Sequence, residues 1–128
     1  MTESDLSTLL STLAVHVCDG VWTFETAVEG PDSSAIMTFR EREGWTAIKA
    51  AHDATSSDNR WVWLELTVYS DLNAVGFLAR IAAALAEAGV PCNAVAAFHH
   101  DHIFVPEDKA DLAIRALEAL QAQATAPK

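Results

Sequence analysis

WVWLELTVYSDLNAVGFLARIAAALAEAGVPCNAVAAFHHDHIFVP, residues 61–106, is the stretch on which the reading of the fold turns. It opens with the clearest strand in the chain. From Trp61 to Tyr69 the residue types alternate, with Val62, Leu64, Leu66 and Val68 on one side and Trp61, Trp63, Glu65, Thr67 and Tyr69 on the other. That is the two-residue period of a β-strand. The purely aliphatic side predicts a covering layer of helices. Ser70 to Ala74 is a short loop with two helix-capping residue types, and after it the apolar spacing changes. Val75, Leu78, Ile81, Ala82, Leu85 and Ala88 form one stripe at helical spacing, which predicts a helix over 75–88 ended by Gly89. Residues 90–98 then read as a strand, His99-His100-Asp101 as a turn and 102–105 as the returning strand. Pro106 stops that strand and opens a last helix from Glu107 to about Ala122, with Leu112, Ile114, Leu117 and Leu120 at its apolar positions.

The order strand, helix, strand, strand, helix is the first five elements of a βαββαβ, ferredoxin-like unit. The last strand is missing. An open sheet edge is costly, so residues ahead of Trp61 are expected to cover it. Working back, DATSSDNR at 53–60 holds no large apolar side chain and marks a boundary between halves 1–60 and 61–128. Trp45–Ala50 and Ala35–Arg40 read as strands about a Glu43-Gly44 turn, residues 29–34 as a loop, and Val21–Val28 as a strand with Trp22, Phe24 and Thr26 on one side. Asp19-Gly20 is a turn signal. Asp5–Ala14 reads as a helix, capped by Ser4 or Asp5, with Leu6, Leu9, Leu10 and Leu13 on one stripe. Helix, Gly20 and strand repeat the plan of helix, Gly89 and strand, with Leu9 falling on Leu78. Neither half is long enough to be self-sufficient. The expectation is therefore an α+β fold with one fused sheet system.

Composition narrows the function classes. Eighteen acidic against eight basic residues in 128 give a formal charge of −10. That excludes the basic face needed for nucleic acid or an anionic membrane. No apolar run reaches the length of a membrane helix. The start, Met-Thr-Glu-Ser-Asp, is acidic where a signal peptide is basic, and the two cysteines, Cys18 and Cys92, make neither a disulfide framework nor a zinc motif. These features point to a reduced, cytoplasmic protein.

Catalytic signatures are lacking. There is no nucleophile elbow, phosphate loop or dinucleotide fingerprint, and neither cysteine can be paired with a histidine from sequence. The Arg40-Glu41-Arg42-Glu43 run reads as a solvated strand end. Trp61, Trp63 and Tyr69 suggest a cation box, or an aromatic surface packed on the other half or on another subunit. His99, His100, Asp101 and His102 have the chemistry of a metal site, but alternation along a strand separates neighbours and no further ligand is evident, so hairpin hydrogen bonding is expected instead. The loop 71–76 carries the better case. Gly76 permits close approach of a ligand, helix-start amides attract a carboxylate, Asp71 suits an ammonium group, and Asn73 both donates and accepts. The alternative is that Asp71 and Asn73 only cap and Gly76 only permits packing.

The stretch from Trp63 to Pro106 resembles an ACT domain, and TFREREGWTAI, residues 38–48, resembles the matching hairpin of an N-terminal half. The likeness is to small bacterial stand-alone tandem-ACT proteins, related to the regulatory domains of aspartate kinases. It carries the expectation of a ferredoxin-like ACT fold in two halves sharing sheets, with 1–60 the degenerate one. It implies a regulatory protein, not an enzyme, that binds a small molecule, an amino acid by analogy, through Asp71, Leu72, Asn73, Ala74, Val75 and Gly76, with Asn93 and Val95 facing the site from a neighbour's second strand. No cofactor or metal is implied. A protein-interaction module with a vestigial loop is the rival. The unfinished sheet and the aromatic side of Trp61–Tyr69 further predict a homodimer. Gly76→Val is expected to block binding and spare the fold.

Overall fold

The structure, a computed structural model, describes residues 5–27 and 29–125. Val28 and the proposed cap Ser4 lie outside them. Among the described residues the elements run α1 (Leu6–Ser11), β1 (Val15–Val17), β2 (Trp22–Ala27), β3 (Met37–Arg40), β4 (Trp45–Ala50), β5 (Trp61–Leu66), α2 (Phe77–Glu87), β6 (Asn93–Ala96), β7 (Asp101–Pro106) and α3 (Ala110–Thr125). Single 3-10 turns at Ser57–Asn59 and Glu107–Lys109 precede β5 and α3.

All seven strands join one sheet, in the order β3-β4-β2-β5-β7-β6, with β1 also on β5. The edge left open by the missing last strand is filled from within the chain. Val15, His16 and Val17 pair antiparallel with Leu66, Glu65 and Leu64, and Trp22 pairs with Trp61. Cys18 donates its amide to Trp63 O at 3.0 Å. Between these pairs Asp19, Gly20 and Val21 stand opposite Val62 alone, so Asp19-Gly20 is a bulge in a continuing edge and not a reversal. Gly20, at φ 98°, takes the left-handed bend there.

The expected alternation of β5 holds. Val62, Leu64, Leu66 and, beyond the strand, Val68 belong to an aliphatic core with Leu9, Leu10 and Leu13 of the α1 region, Phe77, Ile81 and Leu85 of α2, Ile103 and Val105 of β7, and Ala113, Leu117 and Leu120 of α3. The other side is aromatic. Trp22 meets Trp63 edge-on at 5.4 Å, and Phe24 meets Trp61 at 5.7 Å and Phe104 at 5.6 Å. Neighbouring strands lie about 4.8 Å apart, so a flat sheet would hold β2 and β7 nearly twice that distance apart. The Phe24–Phe104 contact across β5 shows that the sheet curls around this side. The tryptophans expected to pack on the other half do so.

Several elements end earlier than their patterns suggest. α1 closes at Ser11 and the unanticipated β1 follows. β5 stops at Leu66, not Tyr69. α2 begins at Phe77 because Gly76, its N-cap, sits at φ 91°. Val75 is thereby left 84% exposed, Ala82 also faces solvent, and Phe77 takes the buried place. Gly89 ends α2 as anticipated, at φ 75°, with Val90 N donating to Leu85 O and Gly89 N to Ala86 O. In α3, Ala113 replaces Leu112 on the buried stripe. The repeat that lays Gly20 on Gly89 fails at sheet level. It equates the strand after Gly20 with β6, whereas the order β3-β4-β2 mirrors β6-β7-β5, which makes β3 the counterpart of β6.

Candidate functional site

β5 delivers the chain to one end of the helix-covered side, and the loop Thr67–Gly76 turns it back into α2. A cavity of about 160 Å³ lies there, walled by Ser70, Asp71, Leu72, Ala74, Phe77, Leu78, Ala96 and Asp101. Its apolar walls are Leu72, Ala74, Phe77, Leu78 and Ala96. Its polar groups are the loop's Ser70 and Asp71 and, from β7, Asp101. Ser70 and Asp101 are 7% and 8% exposed, and Ser70 Oγ donates to Asp101 Oδ2 at 2.7 Å. A buried carboxylate needs donors, so this bond ties the loop to the sheet.

Of the residues proposed from sequence, Asp71, Leu72 and Ala74 line this cavity and Asn73, Val75, Gly76, Asn93 and Val95 do not. Asp71 Oδ1 accepts from Asn73 N at 2.8 Å and from Asn73 Nδ2 at 3.3 Å, while Ala74 N donates to Asp71 O. Asp71 and Asn73 therefore shape the loop. They do not cap α2, which starts later. Asn73 and Val75 point outward. Gly76 gives the helix its N-cap conformation, and among the described residues a Cβ there would meet only Leu6, at 3.5 Å. Its requirement is thus the positive φ. Asn93 and Val95 pair with Phe104 and His102 and so lie on the aromatic side, on an outer strand with one open edge. Ala96, two residues on from Ala94 along the helix-facing side, is the β6 residue at the cavity.

Sequence reasoning missed Ser70, Phe77, Leu78, Ala96 and Asp101 as wall residues. Alternation offered one signal. If His100 and His102 share a side, Asp101 must face the opposite one, toward the core.

His100 and His102 sit on the aromatic side, while His99 is exposed in the turn. Trp63 Nε1–H donates to His102 Nδ1 at 2.9 Å. His100 packs on Tyr69 with ring centres 4.4 Å apart, its Nδ1 lies 3.3 Å from Val68 O, and its Nε2 lies 4.0 Å from Glu65. Among the described residues no three histidine, cysteine or acidic side chains are arranged to hold a metal ion. The side-chain bonds of this cluster reach β5 and the loop after it and not the hairpin's own turn, which is closed by Ala97 N donating to His100 O at 3.1 Å. Burial pushes both thiols up, with Glu65 and Asp19 adding to the effect at Cys18. That is the reverse of an activated nucleophile.

A curled antiparallel sheet with helices on one side and a loop-to-helix cavity at its end defines an α+β module of ferredoxin-like type. ACT domain profiles match residues 56–119 and residues 1–61. The chain belongs to the ACT domain family. ACT domains generally bind small molecules in regulation. No relative with a curated description matches the sequence. Among solved structures, a Vibrio cholerae protein of unknown function, described as a possible transport protein, is 35% identical, with 91% of this chain and 95% of that one covered and a TM-score of 0.78. An Agrobacterium tumefaciens protein shares the fold at 14% identity, 85% and 89% coverage and a TM-score of 0.67. The ligand-free regulatory subunit of Thermus thermophilus aspartate kinase aligns at 11% identity, over 94% and 79%, with a TM-score of only 0.47. Among the described residues no helix is long and apolar enough to cross a membrane.

Proposed function

We propose that the protein acts by binding and not by catalysis, as a cytoplasmic sensor of a small molecule, an amino acid in the first instance. Residues 61–128 are the ligand-bearing ACT domain and 1–60 its degenerate companion. The carrying observation is the cavity between the β5–α2 loop and Asp101, small, with apolar and polar walls and bordered by two carboxylates suited to an ammonium group. The ligand's carboxylate would meet the amides at the start of α2.

A second reading has its own observation. Tyr69, Leu72, Val75 and Phe98 are all more than half exposed, and all belong to the two loops at this end. Such a patch suits a protein partner, with the cavity vestigial. Of the two motives that sequence offered for a homodimer, the open edge beside β5 is filled within the chain and Trp61 and Trp63 of the aromatic side pack there, while Tyr69 stays exposed. A dimer now rests on this patch and on the outer edge of β6, where Asn93 and Val95 would reach a second copy.

Thermal shift and calorimetry against the twenty amino acids, alongside light scattering, separate the readings. A ligand at 100 times its dissociation constant adds about 2.7 kcal/mol, a rise of several degrees at this size. Ala96→Leu, at an exposed cavity wall, should abolish that rise while leaving the unliganded melting temperature near the parent's. No shift with any amino acid, together with self-association that Leu72→Asp breaks, would select the interaction module.

A further inference from the structure

We propose that His102 is a pH-operated latch on Trp63 at the seam between the two halves of the sheet, holding the indole when the imidazole is neutral and letting it go for Glu65 when the ring is protonated. The indole N–H can only donate. His102 Nδ1, 2.9 Å away, must therefore be the bare nitrogen of a neutral ring whose proton is on Nε2. An imidazolium carries a proton on both nitrogens, so protonation sets donor against donor and breaks the bond. Trp63 also joins β5 to β2 by its edge-on contact with Trp22, beside the Trp22–Trp61 pair, and it stacks on Phe104 at 6.0 Å. The charged ring has somewhere to go. Glu65 is the pairing partner of His102 across β5 and β7, so one neighbour serves each protonation state.

The other ionisable groups on this side are few. His100 lies 6.4 Å from His102, ring to ring, and 4.0 Å from Glu65. From β1, His16 pairs with Glu65, and Cys18, protonated at neutral pH, follows it. Asp101 adjoins His102 in sequence but faces the core. From β6 the paired residue is the uncharged Val95. Desolvation lowers the His102 pKa and His100 adds to this, while Glu65 and Asp101 oppose it. With the folded value below the unfolded 6.5, the latch is fully closed above about pH 6.5 and is lost as pH falls through the folded value.

Long-range proton–nitrogen spectra of the full chain test this directly. At neutral pH, His102 should show a bare Nδ1 and a protonated Nε2. The Trp63 indole proton should then move in one titration with its midpoint below 6.5. His102→Gln, which offers an acceptor that does not titrate, should abolish the movement. His100→Gln should keep it, and Glu65→Gln should shift its midpoint to lower pH. A protonated Nδ1 at neutral pH, or an indole resonance unmoved through the His102 titration, overturns the proposal, as does a transition that persists in His102→Gln. If His102→Gln does not fold, the tautomer and titration of the parent decide alone.

Discussion

The two halves of the sheet have the same strand order and different coverings. β6-β7-β5 carries α2 between its first and second strands in sequence, and α3 after the third. β3-β4-β2 has turns at residues 29–36 in the place of the first helix and one 3-10 turn, Ser57–Asn59, in the place of the second. One half consequently packs aliphatic side chains under helices, while the other packs Phe24, Met37 and Ile48 on the inside of a curl. The difference teaches where each half gets its stability, and why a loop-to-helix cavity exists in only one of them among the described residues.

The largest test of that contrast is a pair of truncations. Leu64 and Ile48 are both fully buried. Leu64 is held between β5 and helices that are themselves locked together, so Leu64→Ala should leave a cavity that cannot collapse and cost toward the upper end of about 2–5 kcal/mol. Ile48 lies near Met37 and Phe24, half-buried side chains able to shift, so Ile48→Ala should cost near the lower end of the same range, about 2 kcal/mol. Urea denaturation measures both. Each variant should still unfold in one transition, because the halves share a sheet. Separate transitions would break the picture of one cooperative unit.

The seam between the halves is sharpened by Asn59. Ladder pairing of β2 with β5 is a single residue pair, Trp22 with Trp61. Beyond it the Asn59 side chain stands in for a strand, donating from Nδ2 to Phe24 O at 2.8 Å and accepting at Oδ1 from Phe24 N at 3.2 Å and Trp61 Nε1 at 2.9 Å. Asn59→Ala strands three polar groups and should cost about 1–3 kcal/mol. A loss no larger than that of a surface substitution would mean that water replaces the side chain freely.

What the sequence disclosed and what it hid follow from the range of the forces involved. The alternation of Trp61–Leu66 and the helix stop at Gly89 are local patterns, and both stand in the structure. β1 was hidden because Val15-His16-Val17 is too short to show a period. Asn59 was hidden because a polar linker residue looks like any other until its backbone partners, 35 positions away, are known. At the candidate site, Asp71, Leu72 and Ala74 were legible from the loop, while Asp101 reaches the cavity only through tertiary pairing with Leu66 and Ala96. Gly76 stands out in the sequence as a first-turn glycine, where valine is harmless to the fold, and the structure makes it the N-cap of α2. With φ at 91° and no clash awaiting a Cβ, the cost of Gly76→Ala is conformational, about 1–2 kcal/mol, and a β-branched valine should cost more. Chemical denaturation of the alanine variant checks this, and an unchanged midpoint would place the start of α2 elsewhere.

The smallest effect belongs to the helix-less turns of the N-terminal half. Lys49 Nζ on β4 donates to Asp32 Oδ2 at 2.7 Å, and Ser34 donates to Asp32 Oδ1 from its backbone N at 2.9 Å and from its hydroxyl at 2.6 Å. The Lys49 bond, with those from Ser34, holds the Asp32 carboxyl well below the usual carboxylate range. Both side chains remain partly in solvent, at 32% and 29% exposure, and exposed pairs are screened by water and salt. Asp32→Asn should therefore lower the melting temperature only slightly at neutral pH, and molar salt should narrow the gap. The sign with pH is fixed by the lowered value. The contribution is complete above the unfolded carboxylate pKa of 3.8 and disappears as pH falls through the folded one, so parent and variant should converge in strong acid. A large loss at neutral pH, undiminished by salt, would mean that these turns are held as firmly as the helix they replace, and the contrast between the halves would have to be redrawn around the loop.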